Sequence, residues 1–272
     1  MARKKVTGQC RVCGVIGLLT KEHIIPKAAG GGRAIKLYKG DELFKTLYEK
    51  GETPYGEIIQ EGYVEYSLCR DCNSYSGLHY DEEFARFFNS FRKPSLAPAL
   101  GVAVDELTPD FLEGNSVCID LYDLKPHNVA KRILMSFCSV AHPGFLEGMP
   151  EIRNAVRDKN YKPNTDKFSI YLSLLTGVKG AALSFGIMSL GGKSKNGGFT
   201  STTLAGVETQ MLAFYLTKHD EHKNGGFLSE CLDITNWLTD YGYNEIVSMR
   251  LELLFKKPIG AAFAVPSPPT YI

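Results

Sequence analysis

The sequence lacks the long apolar run that a membrane-spanning protein needs. No uninterrupted apolar stretch approaches the length of a spanning helix, which requires about 18 residues or more. The opening residues, MARKKVTGQC, contain basic side chains but no apolar segment after them, so they do not have the pattern of a secretory signal peptide. We therefore expect a soluble cytoplasmic protein that has no membrane partner.

A strong net charge and low-complexity tracts are absent as well. The 272 residues carry a formal net charge of +1, with 44% hydrophobic and 22% charged residues, which is the composition of an ordinary globular protein. The charge is unevenly distributed, because residues 1–50 contain eleven basic and four acidic residues. A basic front end can attract nucleic acid, although a solvated lysine-rich surface has the same composition.

The sequence also lacks the even number of cysteines that a disulfide framework requires. Four of the seven cysteines form two Cys-x-x-Cys pairs, CRVC and CRDC, at positions Cys10, Cys13, Cys69 and Cys72. We expect the other three to be buried thiols that behave as small apolar residues, namely Cys118, Cys138 and Cys231. Two such knuckles can supply four thiolates to one ion, which is the ligand set of a closed structural zinc site. A redox function is disfavoured because neither pair lies in a βαβ pattern.

Between the two knuckles lies the stretch LLTKEHIIPKAAGGG, residues 18–32, in which Glu22 and His23 directly precede an apolar pair and a proline. Directly after the second knuckle, Asn73 opens the segment NSYSGLHYDEEFARFF, whose apolar residues have helical spacing. A zinc ion bound by both knuckles would bring Asn73 close to the hairpin that carries Glu22 and His23. Carboxylate and amide oxygens suit Mg²⁺ or Mn²⁺, and a neighbouring histidine can take a proton from water at neutral pH.

Each of these residues also has a structural interpretation. His23 could be a hydrogen-bonded structural histidine, Glu22 an exposed strand carboxylate, and Asn73 the cap of the helix that follows the knuckle. His79 and Asp81 lie in the same predicted helix and are secondary candidates for the site.

The ordered pattern CRVC…LTKEHIIPKAAGG…LCRDCN…G resembles the HNH endonucleases, the ββα-metal nucleases, over residues 8–88. The resemblance implies that His23 is the general base that activates water and that Glu22 and Asn73 bind one catalytic Mg²⁺ or Mn²⁺ ion. It also implies that the four paired cysteines bind a structural Zn²⁺ ion. The family's middle asparagine has no counterpart in EGYVEYSLC, so another group must brace the loop that holds the base. The stretch from residue 33 to 66 exceeds a minimal module, which predicts an inserted hairpin.

The resemblance implies a metal-dependent endonuclease that hydrolyses phosphodiester bonds of DNA and leaves a 5′-phosphate and a 3′-hydroxyl. It further implies a homodimer, since each centre of such a nuclease cuts one strand. The basic residues expected to contact nucleic acid are Lys4, Lys5, Arg33 and Lys36. Two alternatives remain open: a zinc-clamped nucleic-acid-binding protein with an inactive centre, and a nuclease that is controlled by its C-terminal region.

The prolines of FRKPSLAPALG, residues 91–101, predict a linker or surface loop. We therefore place a boundary between residues 1–92, the zinc-clamped HNH module, and residues 93–272, a domain that would contact DNA, dimerise or regulate. The alternating and helical patterns of this second region predict an α+β fold with a mainly antiparallel sheet.

Most of its segments have one clear pattern. The predicted strands are VCIDLYDL, KFSIYLSLLTG, GAALSFGIMSLGG and FTSTTLAGVETQMLAFYLTKH. The predicted helices are PHNVAKRILMSFCSVA and MPEIRNAVRDK, and NEIVSMRLELLF could be a strand or a helix, with a helix preferred. GGKSKNGG, residues 191–198, does not have the spacing of a phosphate-binding loop and is predicted to be a hairpin turn.

Overall fold

The computed structural model describes residues 5–39, 57–176, 181–193, 199–209, 211–218 and 227–256. In these ranges the strands are β1 (Val6–Gln9), β2 (Ile16–His23), β3 (Ile35–Lys39), β4 (Glu57–Ile59), β5 (Val64–Cys69), β6 (Ser116–Leu124), β7 (Phe168–Leu175), β8 (Ala181–Lys193), β9 (Phe199–Glu208), β10 (Leu212–Lys218), β11 (Leu232–Asp233) and β12 (Val247–Lys256). The α-helices are α1 (Arg70–His79), α2 (Asp81–Asn89), α3 (Lys93–Leu100), α4 (Pro109–Leu112), α5 (Pro126–Val140), α6 (Pro143–Leu146) and α7 (Pro150–Arg157). Short 3-10 helices cover Lys27–Ala29, Val104–Glu106, Phe227–Glu230 and Thr235–Leu238. None of the helices in these ranges is long and apolar enough to cross a membrane.

A three-stranded antiparallel sheet near the N-terminus has the order β1-β2-β5, and α1 follows β5 directly. The register of β2 with β5 sets Glu22 opposite Glu65. A register shift between Thr20 and Lys21 lies just before this pair, and such irregularities re-aim the side chains that follow. His23 occupies the last position of β2, where the chain leaves the sheet.

A second, larger sheet has the order β4-β3-β8-β9-β10-β7-β12-β6, with β11 paired to β7. Its neighbouring strands are antiparallel except for β3 with β8 and β12 with β7. The prediction of an α+β chain rich in antiparallel sheet is therefore confirmed. The antiparallel pair β3 and β4 comes from the segment between the two knuckles, and residues 40–56 of that segment lie outside the described residues.

The segment NEIVSMRLELLF was predicted to be a helix, and this prediction is wrong, because it forms most of β12. Leu251, Leu253 and Phe255 are buried, whereas Arg250 and Glu252, which directly precede Leu251 and Leu253, are exposed. This alternation is that of a strand. The helical preference of the leucines and glutamate is overridden because β6 offers a partner strand along almost the whole length of β12.

The prolines at positions 94 and 98 do not prevent a helix, in contrast to the prediction of a linker for residues 91–101. Pro94 lies in the first turn of α3, where its missing N–H has no partner to lose. Pro98 lies inside the helix, which ends at Gly101 with a φ of 68°. Leu96 and Ala97 are buried, and we attribute the helix to this burial, which outweighs the one hydrogen bond that Pro98 cannot make.

Turns and breaks also differ from the sequence pattern in two places. The single helix predicted after the second knuckle is divided at Tyr80 into α1 and α2. The strands β8 and β9, which flank the predicted hairpin turn, pair antiparallel up to Lys193 and Phe199. The tip itself, residues 194–198, lies outside the described residues.

Helix α5 connects the small sheet to the rest of the chain. The hydroxyl of Ser67 on β5 donates to that of Ser139 on α5 at 2.8 Å. The guanidinium of Arg11, in the first knuckle, donates to the carbonyls of Ser139 and Ala141, so a positive charge caps the C-terminus of the helix. Buried residues of the small sheet and of α5 belong to one hydrophobic cluster.

Two glycines allow the backbone to pack directly against itself beside His23. Gly62 has a φ of 79°, and a Cβ added there would overlap the carbonyl oxygen of Gly31. A Cβ added at Gly31 would overlap the carbonyl oxygen of Ile25. Only glycine fits such positions without displacing backbone, so these contacts hold residues 61–62 against the loop that follows β2.

We expect Gly62→Ala to lower the free energy of unfolding by about 3 kcal/mol, because overpacking costs about 1–3 kcal/mol and a left-handed backbone adds about 1–2 kcal/mol. Gly17→Ala is a matched control in β2, where an added Cβ meets nothing within 4 Å, and should change it by less than about 1 kcal/mol. Urea unfolding at constant zinc concentration measures both variants. Equal stability of the two would contradict the close packing of Gly31 on Gly62.

Candidate functional site

The four paired cysteines converge on one point. Cys69 ends β5, and Cys72 lies in the first turn of α1. Their sulfurs and those of Cys10 and Cys13 lie within 4.8 Å of one another, and the Sγ atoms of Cys13 and Cys69 are 3.7 Å apart. Sulfurs bound tetrahedrally to zinc at about 2.3 Å stand about 3.8 Å from each other. The predicted convergence is confirmed, and the cluster can hold a metal ion such as zinc.

The first knuckle is a tight turn that presents its thiols to this cluster. Gly14, with a φ of 79°, donates its N–H to the carbonyl of Cys10 at 2.8 Å. A hydrogen bond with Cys72 lowers the pKa of Cys10 to about 4 and raises the pKa of Cys72. Because metal ions bind the thiolate form, the cluster already holds a charged ligand at neutral pH.

His23 presents one free ring nitrogen at the end of β2. The Glu61 backbone lies close enough to the imidazole to act on its pKa, while Nε2 is buried without a hydrogen-bond partner. Burial lowers the pKa of His23, and the positive charge of Lys27 lowers it further. The ring is therefore neutral near pH 7 and can accept a proton.

Glu61, the first residue of EGYVEYSLC, interacts with two residues of β2. Its backbone lies close to the imidazole of His23, and its side chain forms an ion pair with Lys21 on β2. Gly62 packs on Gly31 directly after it. The interaction with His23 involves the backbone of Glu61, which is why side-chain pattern alone could not identify it.

Asn73 is fixed against β2 by its side-chain amide. Its Nδ2 donates to the Thr20 hydroxyl at 2.9 Å and to the carbonyl of Lys21 at 3.0 Å. A carbonyl can only accept, so the nitrogen end of the amide must lie on this side. The oxygen Oδ1 is therefore turned away from the Thr20 hydroxyl and the Lys21 carbonyl. Asn73 directly follows Cys72, so the cysteine cluster also fixes its position along α1.

Glu22 is buried against a residue that the sequence pattern did not single out, Arg132 of α5. Arg132 Nη2 donates to Glu22 Oε1 at 2.9 Å and to the carbonyl of His23 at 2.7 Å. Its Nε donates to Asp81 Oδ1 at 2.6 Å, and its Nη1 to the Ser136 hydroxyl at 2.8 Å. The side chain of Arg132 is only 1% exposed. One guanidinium thus fixes the carboxylate and the main chain beside His23.

The burial of Glu22 has an electrostatic consequence. Burial raises the pKa of Glu22 to about 7, the charge of Arg132 opposes this rise, and the nearby charge of Asp81 adds to it. Two carboxylates therefore share one guanidinium, which leaves an excess of negative charge when both are ionised. Without the charge of Arg132 the pKa of Glu22 would rise further, so Arg132 increases the ionised fraction of Glu22.

The remaining predicted residues make no described contact with His23, Glu22 or Asn73. Among the described residues, no second group of His, Cys, Asp or Glu has ligand atoms close enough to hold a metal ion. His79, a secondary candidate, makes a 2.8 Å hydrogen bond with the hydroxyl of Tyr243. Of the residues predicted to contact nucleic acid, Lys5 and Arg33 are exposed and Lys36 is half-buried on β3, while Lys4 lies outside the described residues.

Sequence reasoning missed Arg132, although one signal was present. The segment VAKRILMSF of α5 places Lys131 and Arg132 within an otherwise apolar helical run. Charged residues in the middle of a buried helix are uncommon unless they are paired. The pattern therefore predicts a buried ion pair, but it does not name Glu22 and Asp81 as the partners.

Comparison of the chain with protein-family models, with curated proteins and with solved structures finds no match. The interpretation of the site therefore rests on the residues and contacts described above.

Removal of one thiolate should open the cysteine cluster. We expect Cys69→Ser to lose its metal ion and to melt at a lower temperature, because a structural ion contributes its binding free energy to folding. Elemental analysis of the purified chain and a thermal melt measure the two effects. Cys118→Ser is the control, since Cys118, which was predicted to be buried, is an exposed thiol outside the cluster. A Cys69→Ser chain with the metal content and melting temperature of the parent would exclude the four-cysteine site.

We expect Arg132→Met to lower the free energy of unfolding by about 3–5 kcal/mol, because it leaves a buried carboxylate unpaired. Adding Glu22→Gln to Arg132→Met should recover part of this loss, with a coupling of about 1 kcal/mol or more in a double-mutant cycle. The control Arg250→Met removes an exposed partner of Asp120 and should cost less than about 1 kcal/mol. Strict additivity of the Arg132 and Glu22 substitutions, measured by urea unfolding, would contradict the ion pair.

Proposed function

We propose that the chain is a metal-dependent endonuclease of the HNH type that hydrolyses phosphodiester bonds of DNA. The observation that carries the proposal is the state of His23. Its ring interacts with the Glu61 backbone, and its Nε2 is buried without a hydrogen-bond partner. The four-cysteine cluster sets α1 beside the same strand, so that Asn73 bonds to Lys21 just before Glu22.

Glu22 and Asn73 are the two residues that would hold the divalent cation in this proposal. The carboxylate of Glu22 and the amide oxygen of Asn73 are the ligand types that Mg²⁺ and Mn²⁺ prefer, and Asn73 has its nitrogen end committed to β2. Such an ion, when bound, stabilises the negative charge that develops on the phosphate and on the departing oxygen. The four thiolates would hold a separate zinc ion, which has no open position and is structural.

His23, Arg132 and Lys27 have different roles in the proposed reaction. His23 accepts a proton from water through Nε2. Arg132 holds Glu22 and the His23 carbonyl in place from the opposite side, so that neither group has to reorganise during the reaction. Burial, together with the nearby charge of Lys27, lowers the pKa of the imidazole and keeps it neutral before the proton is transferred.

A second function is favoured by one observation, the bond between Glu22 and Arg132. A carboxylate that already has a buried arginine partner attracts a cation less strongly than a free one. A zinc-clamped nucleic-acid-binding protein with an inactive centre would have the same contact. The two functions differ in whether the chain cleaves the nucleic acid that it binds.

We expect the zinc-loaded chain to cleave plasmid DNA when Mg²⁺ or Mn²⁺ is added, and His23→Ala to lose about 10²- to 10⁴-fold of that activity, which is the usual contribution of a general base. His142→Ala removes a histidine outside the centre and is the control. Zinc content and melting temperature should be the same in all three proteins.

Unchanged cleavage by His23→Ala would exclude His23 as the base. DNA binding without cleavage by the parent chain, over a range of Mg²⁺ and Mn²⁺ concentrations, would favour the inactive binding protein.

A further inference from the structure

The three consecutive glycines at positions 30–32 lie beneath a group of basic side chains. Gly30 has a φ of 84°, and a Cβ added there would overlap Arg92 Nη2 and lie 3.9 Å from Arg33 Nε. At Gly32, an added Cβ would lie 3.3 Å from Cγ of Lys27. Three cationic side chains therefore lie over this loop, and the absence of side chains at the glycines gives them room.

The two arginines are close together and unpaired. Burial lowers the pKa of Arg92, and the positive charge of Arg33 lowers it further, which indicates that the like charges are near each other. In the part of the chain that the structure describes, no salt bridge involves Arg33, Arg92 or Lys27. Arg92 is held by a 2.9 Å hydrogen bond from Nη2 to the carbonyl of Ala29, which leaves its other guanidinium donors available.

This basic surface adjoins His23. The charge of Lys27 acts on the imidazole, and Gly31 packs on Gly62, next to the residue whose backbone lies close to the ring. The carboxylate of Glu61, on which the charge of Lys27 acts, is exposed and already paired with Lys21. The surface is therefore positive on balance.

We propose that Lys27, Arg33 and Arg92 form a binding site for a backbone phosphate of DNA that neighbours the phosphodiester at His23. Guanidinium groups bind phosphate oxygens through two parallel hydrogen bonds, and an anion between two arginines removes the repulsion that otherwise opposes their proximity. Contacts of this kind set the position of the duplex without reading its sequence. The proposal rests on the proposed function for its substrate, and it adds Lys27 and Arg92 to the contacts predicted from sequence.

The test is binding of a fluorescent duplex oligonucleotide to the full-length, zinc-loaded His23→Ala chain without added magnesium, measured by anisotropy at several salt concentrations. We expect Arg33→Ala and Arg92→Ala each to weaken binding about 3- to 10-fold. The slope of log K against log salt should become shallower by about 0.9 for each phosphate that the variant no longer neutralises. Arg250→Ala removes an exposed positive charge on β12 and is the matched control, with affinity and slope unchanged.

Parental affinity and parental salt slope in both arginine variants would overturn the phosphate site, and so would an equal loss in Arg250→Ala. Arg33 is exposed and makes no described contact that the fold needs, so Arg33→Ala remains informative if Arg92→Ala loses stability. Failure of this proposal is distinct from failure of the nuclease. Cleavage by the parent with arginine-independent binding rejects the phosphate site alone, whereas arginine-dependent binding without cleavage supports the site and rejects the nuclease.

Discussion

The buried guanidinium of Arg132 joins two parts of the chain that are far apart in sequence. Moving such a charge out of water costs several kcal/mol, and the cost is offset only by partners with good geometry. Arg132 has them in Glu22, in Asp81 and in the carbonyl of His23. Because these partners occupy fixed positions on β2 and α2, α5 can dock in one register only. The small sheet and the C-terminal region are thereby held in a single arrangement.

Polar contacts join helix α5 to its neighbours at both ends as well. Near its start, the buried side chains of His127 and Lys131 bond to the carbonyls of Lys159 and Asp158 at the end of α7. Burial lowers the pKa of His127 to about 4 and that of Lys131 to about 7. At its other end Arg11 of the first knuckle bonds to the last carbonyls of α5. A polar stripe on a buried helix therefore specifies its neighbours on both sides, in addition to the apolar core.

Local patterns predicted the parts of this molecule that depend on neighbouring residues. Two Cys-x-x-Cys turns identified the sulfur cluster, and the adjacency of Asn73 to Cys72 placed the amide beside β2. What failed was set by distant residues: β12 is a strand because β6 pairs with it, and Glu22 has a buried partner more than a hundred positions away. The interaction of Glu61 with His23 involves the backbone, which has no signature in the amino-acid sequence.

The position of the β3–β4 insertion follows from the same packing. The residues before β3 and after β4 are close together, because the backbones of Gly31 and Gly62 are in contact. A loop whose ends are already adjacent can be lengthened at little entropic cost, since closure entropy grows only slowly with length. The insertion can therefore extend to the large sheet, where β3 pairs with β8, while the contacts around His23 stay unchanged. The glycines at the base of this segment cannot be replaced freely, because a side chain at Gly31 or Gly62 would push apart the backbone contacts that hold residues 61–62 near His23.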